Sequence, residues 1–366
     1  MSIKRIGTLA FVLSAIVPAG AVAQGRDTLT LRALYDQLQS SNPRLKALGS
    51  LIDATQAREG ATAVPSDPQL QVGAMNLSLP GLSADMPSSM APAIQLMQMV
   101  PFPGKLGLAS SVAKQETAMA RSDAAEAWWE VRAQAAMAFY ELAQAEAQIG
   151  VMRETLELLG RMQKIAQAMY ASGSGRQADV LRAGVEIARM QADITRMTTM
   201  RSVAEARINA LLNRAPQTPV IVSTAAPATV ALPVTDTLLA WAEATRPMLA
   251  KGRVAVEQAQ SRAALARREI WPDFTVGLQY GQRPSDMGTE RMGSVMLGFS
   301  VPVFAKQRQL RMRDEAAAMK QMAEADLAAM RANTGARVLE ITAELERARS
   351  LMQLYDRDVL PQANAT

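Results

Sequence analysis

The 366-residue chain carries 39 Lys and Arg against 34 Asp and Glu, and it has neither histidine nor cysteine. Those two absences exclude Ser-His and Cys-His catalysis, thiolate chemistry, disulfides and the usual zinc sites. A net charge of +5 is too small to argue for nucleic acid, whereas an aromatic content of only 4% in an alanine-rich chain favours long helices packed side by side.

Residues 1–23 have the pattern of an export signal. Lys4 and Arg5 form a basic start, residues 9–17 a short apolar run, and Ala21-Val22-Ala23 a small-residue cleavage site before Gln24. The run is too short for a membrane anchor, and no other run approaches eighteen apolar residues, so a helical membrane span is excluded. Residues 28–63 are expected to be helical, with Leu31, Leu34, Leu38, Leu45 and Leu48 at helical spacing and a break at Asn42-Pro43. A strand over about 69–79, a polar loop and a return strand over about 93–101 follow. Then come long helices over about 104–170 and 177–213, the first on the order of 100 Å at ~1.5 Å per residue. A helix of that length needs lateral neighbours in a bundle or coiled coil.

The turn between these helices reads YASGSGRQADVLRA, with Gly173 and Gly175 allowing the chain to leave the helix. It is not a nucleotide loop, because the glycines follow a helix and no third glycine arrives in step. GKLGLAS at Gly104 likewise lacks the earlier glycine and the hydroxyl residue of a phosphate loop. Carboxylates on the helices read as solvated faces or i,i+4 partners, so no catalytic residue, cofactor or metal site is assigned.

After a proline- and threonine-rich linker at residues 216–235, the scheme starts again. Strands are expected over about 273–282 and 292–303, and a helix over about 305–360. Pro68, Val72 and Gly73 stand 204 residues before Pro272, Val276 and Gly277, and Pro43 and Leu45 stand 204 before Pro247 and Leu249. A fixed offset over such a span marks an internal duplication, with residues 24–215 as the first copy and 236–366 as a second, incomplete one. Strands of about ten residues suit a tilted crossing of an outer membrane. Val295, Leu297, Phe299 and Val301 alternate onto one face, Gly298 and Ser300 onto the other. A soluble hairpin accounts for the strands equally well, and under either account two hairpins need partner strands.

In this order and spacing, TLTLRALYDQLQSSNPRLKAL, the lead-ins DPQLQVG and WPDFTVG, the return strand PFPGKLGL and the turn YASGSGRQADVLRA resemble the outer membrane efflux protein family, the TolC-like outer membrane factors. The resemblance covers essentially the whole chain after the signal. It implies a mainly α fold with β: duplicated long-helix coiled-coil hairpins and four membrane strands per protomer, closed in a homotrimer into a twelve-stranded barrel. It further implies a passive export duct in the outer membrane with a periplasmic helical extension, working with an inner-membrane pump and a periplasmic adaptor.

By the same resemblance the adaptor docks at the tip, Gly173, Ser174, Gly175 and Arg176, on a turn packed by Tyr170, Asp179, Val180 and Leu181. Val72, Met97, Val276, Leu278, Val295, Leu297 and Phe299 belong to the membrane strands, and outer-membrane lipid is among the expected partners. The second copy departs from the family in ending before its own turn and closing helix, so the expectation is a truncated chain. A periplasmic helical protein of structural or adaptor-like kind stands as the alternative, although adaptors lack two duplicated strand pairs. Methionine is enriched in the hairpins, at Met75, Met86, Met90, Met97 and Met99 and at Met287, Met292 and Met296. Filling of irregular apolar contacts outweighs a Cu(I) path as its explanation, although the PFPGK stretch is similar to members serving heavy-metal efflux pumps.

Overall fold

The structure is a computed structural model that describes residues 28–77, 80–82, 89–223, 231–285 and 288–365. The expected export signal, most of the first hairpin loop with Met86, part of the linker and Met287 lie outside the described residues. The fold is mostly helical with one small antiparallel sheet. Its elements are α1 (Leu31–Ser41), α2 (Pro43–Thr62), β1 (Gln69–Met75), β2 (Met90–Val100), α3 (Lys105–Ala171), α4 (Gln177–Leu211), α5 (Thr235–Thr245), α6 (Pro247–Arg268), β3 (Phe274–Ser285), β4 (Gly288–Phe299) and α7 (Gln309–Leu354). A π turn at Tyr355–Val359 and a short α8 (Leu360–Ala365) follow. Several bounds differ from the sequence expectation. β1 stops at Met75, before Asn76 in the left-handed region, and β2 starts earlier, at Met90. β3 runs on to Ser285, β4 spans Gly288–Phe299 and so ends before Val301, and α7 starts at Gln309.

Burial along α3 explains how so long a helix is held. Ala113, Thr117, Ala120, Ala127 and Val131 are buried at alternating steps of three and four residues or their sum. Ala135, Ala138, Leu142, Ala145 and Ile149 continue after one extra step of four. This is a heptad seam with a stutter, which locally unwinds a coiled coil. Its first half is built of small residues, and small contact residues let helix axes approach closely.

The described chain packs into two units. One comprises residues 28–34, 138–209 and 215–223. Its core contains Leu34, Leu142, Ile149, Met197, Ala204, Ile208, Val220 and Val222. Glu141 and Arg207 (2.7 Å) and Glu146 and Arg201 (3.5 Å) tie α3 to α4. The fully buried Asn209 amide donates to the carbonyls of Pro216 (3.1 Å) and Thr218 (2.7 Å), fixing the chain as it leaves α4.

The other unit comprises residues 35–137, 210–214 and 231–365. A helix break of the same kind recurs in this unit. Asn42 and Arg246, 204 residues apart, are both extended, with ψ of 122°, and each precedes a proline at the first helical position. Asn42 caps α2 by accepting from the N–H groups of Arg44 and Leu45 and donates to Leu211 O at 2.8 Å. Arg246 has no such side chain, and Glu126 of α3 does the work instead. Its carboxylate accepts from Met248 N (3.1 Å) at the start of α6 and from the Arg246 guanidinium (3.1 Å), which also donates to buried Thr334 of α7. A carboxylate at a helix N-terminus satisfies orphan donors and complements the dipole. α6 packs on α7 at Gly252, where a Cβ would come within 2.9 Å of Leu327 Cδ1.

The four strands form one antiparallel sheet in the order β1-β2-β3-β4, so the two hairpins meet at the β2–β3 pair. Among the described residues, β1 and β4 leave the outer edges of the sheet unpaired.

Candidate functional site

The register sorts every strand residue onto one of two faces, because directly opposed residues point the same way. The row Leu70–Leu96–Leu278–Val295 crosses all four strands, flanked by Val72–Ile94–Tyr280 on one side and Val276–Leu297 and Val100–Phe274–Phe299 on the other. Within these rows Gln98 alone is polar, and beyond Tyr280 the same face carries Gln282 and Arg291. This face is the uncovered one. Leu70, Val72, Val295, Leu297 and Phe299 are 64–79% exposed. An apolar patch of this extent with no protein over it marks a membrane or partner surface.

The opposite face holds the row Gln71–Gln95–Gln279–Ser294, with Gln69–Met97–Gly277–Met296 and Ala93–Gly281–Met292 beside it. Side chains fold over the glycines here: a Cβ on Gly277 would lie 3.2 Å from Met296 Cε, and one on Gly281 would lie 2.6 Å from Met90 Sδ. Apolar outside and polar or small inside, alternating by residue, is the pattern of a membrane barrel wall. Of the sequence-assigned strand residues, Val72, Val276, Leu278, Val295, Leu297 and Phe299 share the apolar face, whereas Met97 is on the other. Sequence reasoning missed the glutamine row, although its signal is present as alternate glutamines in LQVG, AIQLMQM and GLQYG.

A polar joint fixes where the sheet meets the helices. Asp273 Oδ1 accepts from Lys105 Nζ (2.8 Å) and from Phe102 N (2.8 Å), while Lys105 Nζ also donates to Trp271 O. Arg268 donates to Pro103 O at 2.7 Å, and the Phe102 and Trp271 rings stack at 5.5 Å. Gly104, at φ +87°, has the Arg268 guanidinium where a side chain would be. Burial pushes the Asp273 carboxyl up, but the bonds from Lys105 and Phe102 more than offset it, so the group titrates below its ordinary value.

In the other unit the α3–α4 turn forms an exposed tip. Gly173 is left-handed at φ +79°, and the N–H groups of Ser174 and Gly175 both donate to Met169 O at 2.9 Å, closing the end of α3. Ser172 Oγ and Ser174 Oγ lie 2.8 Å apart, leaving hydroxyls on the outer surface. Gly175 has no room for a side chain, since a Cβ would sit 2.9 Å from Met169 Cβ. The structure thus brings Gly173, Ser174, Gly175 and Arg176 together at the tip. Of the residues assigned to pack it, Val180 is half-buried, while Tyr170, Asp179 and Leu181 are exposed in the single chain. Leu158, Met162, Ile165 and Met169 lead to the tip as an exposed stripe at coiled-coil spacing.

A sheet with one uncovered apolar face and open edges, joined to helices far longer than a globular core requires, defines a membrane duct wall. No helix among the described residues is long and apolar enough to cross a membrane. The sequence profile of the outer membrane efflux proteins matches residues 34–214 and 238–365, and the chain belongs to that family.

The chain is similar in fold to several solved channels. With VceC of Vibrio cholerae, an outer membrane protein, the TM-score is 0.74 at 18% identity, covering 92% of this chain and 83% of that one. With the outer-membrane channel OprN the values are 0.71 and 19%, covering 89% and 77%. With the CmeC outer membrane channel of Campylobacter jejuni they are 0.67 and 14%, covering 96% and 83%. A search of curated proteins found no match. The chain is therefore the outer membrane channel component of an efflux system, with a periplasmic helical extension, in a family whose members are generally not enzymes.

Proposed function

We propose that the chain is a passive duct that works as a homotrimer. The observation that carries this is the sheet: its uncovered face is apolar across all four strands, and both of its edges are open. Unpaired backbone groups cannot remain in hydrocarbon, so such a sheet must close with further strands, and three copies supply twelve. The exposed stripe from Leu158 to Met169 gives the helices a seam for neighbouring helices of the same assembly. The two segments matched by the family profile support a duplicated unit.

In this arrangement the tip at Gly173, Ser174, Gly175 and Arg176 receives a periplasmic adaptor, which links the duct to an inner-membrane pump. Its exposure and rigid closure suit it to docking. The energy for transport comes from the pump, and the duct itself catalyses nothing. Reconstitution of the purified full chain into planar lipid bilayers tests the duct directly. Discrete ohmic conductance steps are expected, and a chain that inserts without conducting would refute it.

A further inference from the structure

The apolar residues of the sheet are sorted by chemistry. Among the described residues the uncovered face carries leucine, valine, isoleucine and phenylalanine but no methionine, whereas Met75, Met90, Met97, Met99, Met292 and Met296 all project from the opposite face. Generic apolar filling does not produce this division, since thioethers would serve equally well against lipid. The methionines also stand out on a face that is otherwise polar or small, as the inner face of a duct wall ordinarily is.

Position sharpens the point. Met97 and Met296 flank Gly277 from the two neighbouring strands, and Met292 is paired with Gly281 while Met90 Sδ lies over it. Met97 and Met296 are separated by a strand with no side chain at their row, while Met90, paired with Met75 beyond Ala93, reaches over Gly281 from the next row. With strands ~4.8 Å apart, two unbranched methionines can bring their sulfurs together above the glycine between them. Two further contacts show that these sulfurs belong to a polar surface: Gln279 Nε2 donates to Met75 Sδ at 2.8 Å, and Gln95 Nε2 lies 3.9 Å from Met296 Sδ. The ligands in these rows are uncharged thioethers, amides and hydroxyls. Hard divalent cations prefer carboxylates and water, whereas thioethers select soft monovalent ions.

We infer that the glycine-centred methionine pairs, Met97 with Met296 and Met90 with Met292, bind soft monovalent cations of the Cu(I) and Ag(I) type on the inner wall. This rests on the assignment of that face to the conduit. Because thioethers do not titrate, binding is independent of pH over the physiological range.

The test uses Ag(I), which is redox-inert, and the full chain in detergent with its methionine methyl groups labelled for NMR. Ag(I) should shift the signals that disappear in the Met97→Leu/Met296→Leu and Met90→Leu/Met292→Leu variants, which keep volume and apolarity. Affinity should fall at least tenfold when all four are replaced, with the oligomer unchanged. Equal affinity in the fourfold variant, or shifts confined to helical methionines, would overturn the inference. A separate measurement tests the face itself: in liposomes an aqueous thiol reagent should label Gln95→Cys and spare Val295→Cys. If Gln95→Cys is not labelled, the conduit assignment fails. If it is labelled and Ag(I) does not bind, the methionine site alone fails.

Discussion

Asp273 holds the turn into β3 against the start of α3 with two hydrogen bonds, one of them charged, and its side chain is only about one-third exposed. A native carboxyl that titrates below its ordinary value of 3.8 stabilises the fold above that value, and the contribution is lost as pH falls through the native pKa. Asp273→Asn should therefore cost about 1–2 kcal/mol near neutral pH, after allowance for partial exposure, and should flatten the loss of melting temperature in acid.

Glu146 has the opposite sign. Burial raises it above 4.5, Arg201 pulls it back only in part, and Glu205 adds to the rise. Stability from this group is greatest below 4.5 and declines as pH rises through its native pKa. Glu146→Gln should remove that decline, a change measurable by thermal melts on either side of this range.

At the scale of elements, the tip turn depends on one glycine for space and another for conformation. Gly175→Ala should strain the turn by about 1–3 kcal/mol through its contact with Met169, and Gly173→Ala by about 1–2 kcal/mol through its positive φ. Faster proteolytic nicking between α3 and α4 would register both; unchanged nicking in Gly175→Ala would mean the turn relaxes freely.

The long helices, this turn and the Asn42-Pro43 break were legible because proline, paired glycines and heptad spacing act locally. Which strand residues share a face was not, because that depends on register and on a bulge between Gly73 and Met75 set by pairing partners distant in sequence. For that reason Met97 was grouped with Val72 and Leu278, from which the sheet separates it. Nor was the role of Glu126 visible, since it caps a helix that begins 121 residues later, at Pro247.

For the whole molecule, the apolar face, the open edges and the exposed helical stripe are each surfaces that a single chain leaves uncovered. A lipid-facing assignment predicts an asymmetric response to charge. Val295→Arg should cost about 2–4 kcal/mol of insertion or assembly, as a charge on the lipid side of a strand does, whereas Gln279→Arg on the other face should be tolerated and alter conductance. Equal yields of both variants in the membrane would contradict the face assignment.

The central claim is tested most directly by expressing the full chain with its N-terminal segment, separating the membranes and measuring oligomer mass in mild detergent. A detergent-stable trimer in the outer-membrane fraction is the predicted result. A soluble periplasmic monomer would contradict it.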